Sequence, residues 1–323
     1  CKSIVIVPTR ELAIQVYENL RIFSKFLSLR TCLIVGGVKP GPQLKSLLKG
    51  VDVLVGTPGR IMDHMNTKGL IINHTNTIIL DEADQLMDLG FLPVIKKIAH
   101  NLPKKRQTIL ITATMLANVK DLALKFLHDY KEINLSPKAL PVSKIRQKTI
   151  RVTNSDKLVN LKSIIDKENI FHAIIFTRTK KRADNLAKNL CKNKFKAMAI
   201  HGDKRQSQRI RILNDFKNSK LNFLIATDVA ARGIDIHNIM FVINYDLPTQ
   251  PEIYVHRIGR TARAGKEGVA ISLFDNSELK KLRSIEKLIG KKFEVDKADL
   301  KKNLQKEAVI QEKPTKPFLK VIK

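Results

Sequence analysis

The sequence predicts an α/β protein made of two tandem domains with parallel sheets. Three observations carry this expectation. Short runs rich in Val and Ile recur along the chain, each followed by apolar residues at helical spacing. The runs are continuously apolar, as strands covered on both faces are. The alternation pauses near residue 135 and then begins again. A parallel sheet layered between helices satisfies all three.

Taken in order, Ser3–Val7 reads as a buried strand. Glu11–Phe26 reads as a helix, because Leu12, Val16, Leu20 and Phe23 fall on one face, widened by Ala13 and Leu27. Thr31–Val35, Asp52–Val55, Thr77–Leu80 and Thr108–Thr112 read as further strands, and Asn118–Leu127 as a helix. Asn134–Ile145 carries Ser136, Pro137, Pro141 and Ser143 and reads as a linker. In the second half the expected strands are Ala173–Phe176, Ala197–Ile200, Asn222–Ala226, Met240–Ile243 and Ala270–Leu273. The expected helices are Asp156–Ile165, Lys181–Cys191, Ser207–Phe216 and Ser277–Ile289. Lys301–Lys323, with seven lysines against two glutamates, reads as a disordered basic tail. The expected organisation is a first domain over 1–135, a linker over 136–145, a second domain over 146–292 and a tail over 293–323.

Composition narrows the function. The 323 residues are 43% hydrophobic and 28% charged, which excludes disorder across the whole chain. Lys plus Arg is 59 against 30 Asp plus Glu, a formal net charge of +29. Such a chain works beside polyanions, nucleic acid first and an anionic membrane second. No apolar run approaches the roughly 20 residues of a membrane span, no signal-peptide pattern is visible, and no amphipathic surface helix supports a membrane role. No membrane partner is therefore expected. Trp is absent and aromatics are 5%, favouring contact with a phosphate backbone over base stacking. Cys1, Cys32 and Cys191 suit neither a disulfide framework nor a metal site, so a reducing, cytoplasmic setting is expected.

The motifs sit at strand ends. Thr77–Leu80 runs into Asp81-Glu82-Ala83-Asp84, two carboxylates where open α/β sheets place their ligand crevice. A strand-end Asp suits Mg²⁺ held through water beside nucleotide phosphates, and a neighbouring Glu suits orientation of an attacking water. A solvated acidic turn explains the tetrapeptide equally well on its own. Pro8-Thr9-Arg10-Glu11-Leu12-Ala13, Gly36-Gly37, Thr57-Pro58-Gly59-Arg60 and Thr112-Ala113-Thr114 each follow a strand. The second half adds His201-Gly202-Asp203, Gln206 with Arg209, Ala226-Thr227-Asp228 through Gly233 to Asp235, and His256 to Arg263.

In this order the set resembles the DEAD-box RNA helicases of superfamily 2, from about residue 1 to residue 290. The resemblance implies two RecA-like domains that close on ATP and single-stranded RNA. It implies ATP and Mg²⁺ as cofactors, with Asp81 holding the metal through water. Asp81, Glu82, Arg260 and Arg263 are the implied catalytic residues, and Gly233 and Asp235 join Asp81 and the two arginines around the nucleotide. Thr9, Arg10, Gly37, Thr57, Arg60, Arg178, Gly202, Gln206, Arg209 and Thr227 are the implied RNA-binding set. Asp84, Thr112, Thr114, Asp228 and His256 are the implied coupling residues. The implied partner is RNA, bound without regard to sequence. Family members serve in ribosome assembly and RNA decay.

The spacing of His256, Arg260 and Arg263 would put them on one face of a helix. Ala262 stands where many members have glycine, a change that suits a helix. Thr112 replaces the family's usual serine and keeps the hydroxyl. The family's Gly-x-x-x-x-Gly-Lys-Thr loop does not occur in the 323 residues, and neither does its adenine-reading glutamine segment. The expectation is therefore a helicase core truncated before its phosphate loop, without ATPase activity as it stands. Two other readings are a non-enzymatic RNA-binding or annealing protein and a DNA-directed helicase of the same superfamily.

Overall fold

The structure, a computed structural model, describes residues 1–115, 117–127, 129–135, 145–231, 233, 234, 236, 239–262 and 267–297. Most of the expected linker and the lysine-rich tail lie outside them. The chain divides into two compact units, one of Cys1–Pro141 with Thr179–His237, the other of Val142–Arg178 with the residues from Asn238 on.

In the first unit five strands form a parallel sheet. They are β1 (Ser3–Ile6), β2 (Thr31–Ile34), β3 (Val53–Gly56), β4 (Thr77–Leu80) and β5 (Gln107–Leu110), in the order β2-β3-β1-β4-β5. Ser3 lies beside Val53 on one side and Thr77 on the other. Side chains alternate between faces with period two. Ile4, Ile6, Ile34, Leu54, Ile78 and Leu80 therefore pack on one face with Ile61, Ile95 and Ile98. Val5, Val7, Val35 and Val55 pack on the other with Leu12 and Ala13. Burial on both faces is why these strands are continuously apolar in sequence.

Helices α1 (Arg10–Phe23), α2 (Pro40–Leu48), α3 (Pro58–Asn66), α4 (Ala83–Asp88), α5 (Leu92–His100) and α6 (Ala117–Phe126) connect them. Thr9 caps α1, its hydroxyl accepting from the Leu12 N–H at 3.3 Å. Pro58 opens α3 directly after Thr57, the helix start that Thr-Pro-Gly suggests. Among the described residues β5 ends the sheet next to β4. A groove along it is lined by Leu110, Ile111, Met115, Phe126, Tyr130 and Ile133. Ile111 is 50% exposed.

The second sheet has seven strands in the order β12-β6-β11-β10-β7-β9-β8. These are β6 (Ile145–Arg151), β7 (Ala173–Phe176), β8 (Ala197–Ile200), β9 (Phe223–Ala226), β10 (Phe241–Asn244), β11 (Gly268–Phe274) and β12 (Val295–Lys297). The first unit holds β8 and β9 with α8 (Lys180–Lys192), α9 (Gln206–Lys217) and α10 (Asp228–Ala231). The second unit holds the other strands with α7 (Lys157–Lys167), α11 (Pro251–Ile258) and α12 (Leu279–Ile289). Two elements differ from expectation. β6 starts at Ile145, where a linker was expected to end, and pairs with β11 from Ile145 to Arg151. Residues 293–297, assigned to the tail, are folded: Phe293 is buried and β12 pairs with β6.

Candidate functional site

The first cluster lies at the carboxyl ends of β4 and β5. The Asp81 N–H donates to the Ile6 carbonyl at 3.0 Å, and Asp81 Oδ1 accepts from the Glu82 N–H at 2.8 Å. Glu82 has φ 48, in the left-handed region. A side chain there costs about 1–2 kcal/mol, and such strain gathers where function holds it. Asp84 is buried, and its Oδ2 accepts from the Thr114 hydroxyl at 2.8 Å. Thr112 donates to the Thr114 carbonyl at 2.8 Å, and the Ala83 N–H to the Ile111 carbonyl at 3.0 Å. Asp84, Thr112 and Thr114 thus fasten the loop after β5 to the Asp81–Glu82 turn.

Burial pushes the Asp81 carboxyl above its ordinary value and the Asp84 charge adds to this, while the Glu82 N–H opposes it. A carboxyl whose folded pKa is raised destabilises the fold when ionised. The penalty is absent below the unfolded value near 3.8, grows as pH rises through the folded value, and is complete above it. Asp81→Asn should therefore raise Tm at neutral pH, by a margin that shrinks as pH is lowered. Thermal melts of both proteins across pH 4–8 check this, and a lower Tm for Asp81→Asn at pH 7 would contradict it.

The second cluster joins the loops after β1, β2 and β3. The Arg10 guanidinium packs directly against Gly36 and Gly37. Gly37 has φ +76, and a Cβ there would collide with Arg10. Arg60 reaches the same loop, its Nη2 donating to the Val38 carbonyl at 3.2 Å. Arg60 Nη1 is buried with no hydrogen-bond partner among the described residues. Thr57 ties β3 to β2 through its N–H and the Ile34 carbonyl, 3.1 Å. Gly37→Ala should cost about 1–2 kcal/mol for the left-handed backbone alone and displace Arg10. The expected result is a lower midpoint in urea, and an unchanged midpoint would contradict it.

Gln206 and Arg209, expected on an RNA-tracking surface, are directed elsewhere. Both are buried and both reach Glu11: Gln206 Nε2 donates to Oε1 at 2.8 Å, and Arg209 Nη2 pairs with Oε2 at 3.0 Å. Burial lowers the Arg209 pKa, and the Glu11 carboxylate opposes that shift. Gly233, with φ +66, packs on Thr9 and Leu12 so closely that a Cβ would clash with the Thr9 hydroxyl. Thr227 is buried and opens α10 ahead of Asp228, its carbonyl accepting from the Ala230 and Ala231 N–H groups at 3.0 Å. The Gly202 loop is held from below by its neighbours. His201 Nε2 lies 3.0 Å from Asp184 Oδ2, and Lys204 Nζ lies 2.9 Å from Asp184 Oδ1.

In the second unit Arg178 pairs with Glu278. His256 is on α11, but the helix ends at Ile258. Gly259 closes it, and the Arg260 and Thr261 N–H groups bond to the Arg257 and Ile258 carbonyls in tight turns. Arg260 therefore lies in a turn beyond the helix and does not share a helical face with His256. Asp235 and Arg263 lie outside the described residues. Ala262 is not helical either: its φ is 55, where glycine would be unstrained. Ala262→Gly should raise stability by about 1 kcal/mol; a lower Tm for the variant would contradict that.

Glu11, Asp184, Lys157, Asp246 and Glu278 do not appear among the sequence-derived candidates. Lys157 carried a signal, since Leu161 and Ile164 put it on the buried stripe of α7.

Strand-end loops bearing carboxylates and arginines on two parallel sheets make this a protein of the RecA-like α/β class. The family model for DEAD/DEAH box helicases matches residues 1–122, and that for the helicase conserved C-terminal domain matches 156–265. The chain is 41% identical to the ATP-dependent RNA helicase CshA of Listeria monocytogenes over 91% of its own length and 56% of that protein's. It is also 41% identical to the DEAD-box ATP-dependent RNA helicase CshA of Bacillus subtilis, covering 59% of it. It thus spans less than two thirds of these curated relatives. Among solved structures, S. cerevisiae Dbp5 bound to RNA and ADP BeF3 is similar with a TM-score of 0.81 and 32% identity, over 96% of this chain and 81% of that one. A DEAD box protein from the hyperthermophile Methanococcus jannaschii is 40% identical over 92% of this chain and 79% of that one, with a TM-score of 0.51. The chain belongs to the DEAD-box helicase family.

Proposed function

We propose that the chain is the core of an ATP-dependent RNA helicase that grips single-stranded RNA by its backbone and separates short duplexes. One observation carries this most. The loops at the carboxyl ends of one sheet hold both an arginine–glycine cluster (Arg10, Gly37 and Arg60) and the fastened Asp81–Thr114 turns. An orphaned guanidinium N–H beside a glycine loop suits a phosphate oxygen. The relatives named as RNA helicases and the neighbour solved with RNA and ADP BeF3 support the same reading.

In this reading Thr9, Arg10, Gly37, Thr57 and Arg60 hold RNA from the first domain, 1–135. Arg178, Gly202 and Thr227 hold it from the second, 146–292, joined by the linker 136–145. Gln206 and Arg209 act on RNA through Glu11, which they hold. The basic stretch after β12 adds non-specific affinity.

Among the described residues no group of three or more His, Cys, Asp or Glu could cage a metal. That suits Mg²⁺, which keeps most of its waters and takes one or two carboxylates. Asp81, half-buried and tied by the Glu82 N–H, is the carboxylate that would hold it. Bound there, the metal would neutralise phosphate charge. Glu82 orients the attacking water, and Arg260 and Arg263 stabilise charge on the transferring phosphoryl group. Gly233 and Asp235 flank the nucleotide. Asp84, Thr112, Thr114, Asp228 and His256 relay its state to the RNA loops, and the setting is cytoplasmic.

A second reading, RNA binding or annealing without turnover, is favoured by one sequence fact. The 323 residues contain no Gly-x-x-x-x-Gly-Lys-[Ser/Thr]. ATP hydrolysis with and without U-tract RNA, measured on a chain that carries a phosphate-binding loop, separates the two. Binding of that RNA across a KCl series tests the backbone grip, which should weaken with a slope near −0.7 per phosphate neutralised. Salt-insensitive binding would sink it.

A further inference from the structure

The second unit contains a closed ring of charged groups around Arg178. Its backbone N–H donates to Asp246 Oδ2 at 3.1 Å. Asp246 Oδ1 lies 3.2 Å from Lys157 Nζ, and Lys157 Nζ lies 2.9 Å from Glu278 Oε2. Glu278 Oε1 returns to the Arg178 guanidinium. Lys157, Asp246 and Glu278 have side chains only 1%, 3% and 3% exposed, whereas that of Arg178 is 43% exposed. Three buried members thus hold one surface member, by its backbone and by its side chain.

The surrounding contacts fix the ring further. The Asp246 carbonyl accepts from Arg257 Nη1 at 2.7 Å, and Arg257 lies over the Phe176 ring at 4.9 Å. Glu278 closes a capping box with Asp275, whose Oδ1 accepts from the Ser277 and Glu278 N–H groups at 2.8 and 3.2 Å. Burying a lysine with two carboxylates is costly, and apolar residues would stabilise the fold as well or better. A charged ring is therefore better explained by what it orients than by stability. A guanidinium presents five donors in a rigid fork. Glu278 engages one edge, and the exposed remainder keeps donors for an anion.

We propose that Glu278 is a positioning residue for RNA: with Lys157 and Asp246 behind it, it fixes the Arg178 fork so that its exposed edge meets a backbone phosphate. This rests on the reading that Arg178 binds RNA. Ordering the fork in advance removes side-chain entropy that binding would otherwise cost.

The test uses residues 1–323 and a fluorescein-labelled U-tract RNA, with affinity read by anisotropy over a KCl series and Tm recorded for every variant. Arg178→Ala should weaken binding about tenfold and flatten the salt slope by about 0.7. Glu278→Gln should match both changes, and Arg178→Ala with Glu278→Gln should be no weaker than Arg178→Ala alone. Should Glu278→Gln not fold, Glu278→Asp, which keeps the charge and shortens the reach, takes its place under the same coupling criterion. Tighter binding by the Glu278 variant would mean that Glu278 masks Arg178, and would overturn the proposal. So would a fall in Tm with affinity and slope unchanged, or losses that add in the double variant. Failure of the unaltered chain to bind the RNA would instead overturn the proposed function.

Discussion

Arg260→Ala should lower RNA-stimulated ATP turnover by about 10³–10⁵, the range of arginine fingers in GTPases, in a chain that carries a phosphate-binding loop. Nucleotide affinity should fall far less, because the guanidinium meets charge that grows only in the transition state. Arg260→Lys should not restore turnover, since an ammonium lacks the planar fork. The neighbouring Arg257 provides the control. It is 2% exposed and donates to Asn244 Oδ1 at 3.0 Å and to the Asp246 carbonyl at 2.7 Å. Arg257→Met should lower Tm by several degrees, as expected when buried polar partners lose their donor. Arg260→Ala should leave Tm within a degree or two. Unimpaired turnover by Arg260→Ala would remove Arg260 from the chemistry.

The strands that could be read from the sequence were those covered on both faces. Ala173–Phe176 is apolar throughout and Thr77–Leu80 after its first residue, and the structure places those strands at the same residues. β6 was hidden by its composition. Ile145-Arg-Gln-Lys-Thr-Ile-Arg151 buries only Ile145 and Thr149 fully, and Arg146 and Lys148 serve Glu168 at its surface. A strand half in water beside a short partner lacks the continuous apolar run, so no strand was expected over 146–151. The helix carried through to Arg263 failed for a local reason. Spacing alone extends α11, but Gly259 and the turns after it stop the helix at Ile258. The loop clusters were legible because each motif lies at the end of an apolar run. Glu11 with Arg209, Asp184 with His201 and Lys157 with Glu278 were not. Each pair is brought together by the fold, and the spacing of neither residue names its partner.

Hydrolysis needs a cradle for the β- and γ-phosphates, a metal with an oriented water, and charge stabilisation at the γ-phosphoryl group. Asp81 and Glu82 are assigned to the second and Arg260 to the third. The cradle needs successive backbone N–H groups and a lysine, and the sequence contains no Gly-x-x-x-x-Gly-Lys-[Ser/Thr]. Both places beside β4 are taken, by β1 and β5, so a further strand of this sheet has to add at an edge. The groove along β5, with Ile111 half exposed at its rim, is where one more strand fits among the described residues. Residues 1–323 alone should therefore bind RNA and show no RNA-stimulated hydrolysis. The same residues preceded by a strand and loop of Gly-x-x-x-x-Gly-Lys-Thr type should hydrolyse ATP. Glu82→Gln in that longer chain should abolish turnover while leaving RNA binding in place. Pairing along β5 should also protect the Thr108–Leu110 amides from hydrogen exchange. Two results would defeat this account. One is robust, Glu82-dependent hydrolysis by residues 1–323 alone, which would place a cradle in some other segment. The other is an active longer chain whose β5 amides exchange as fast as before, which would place the added strand away from that edge.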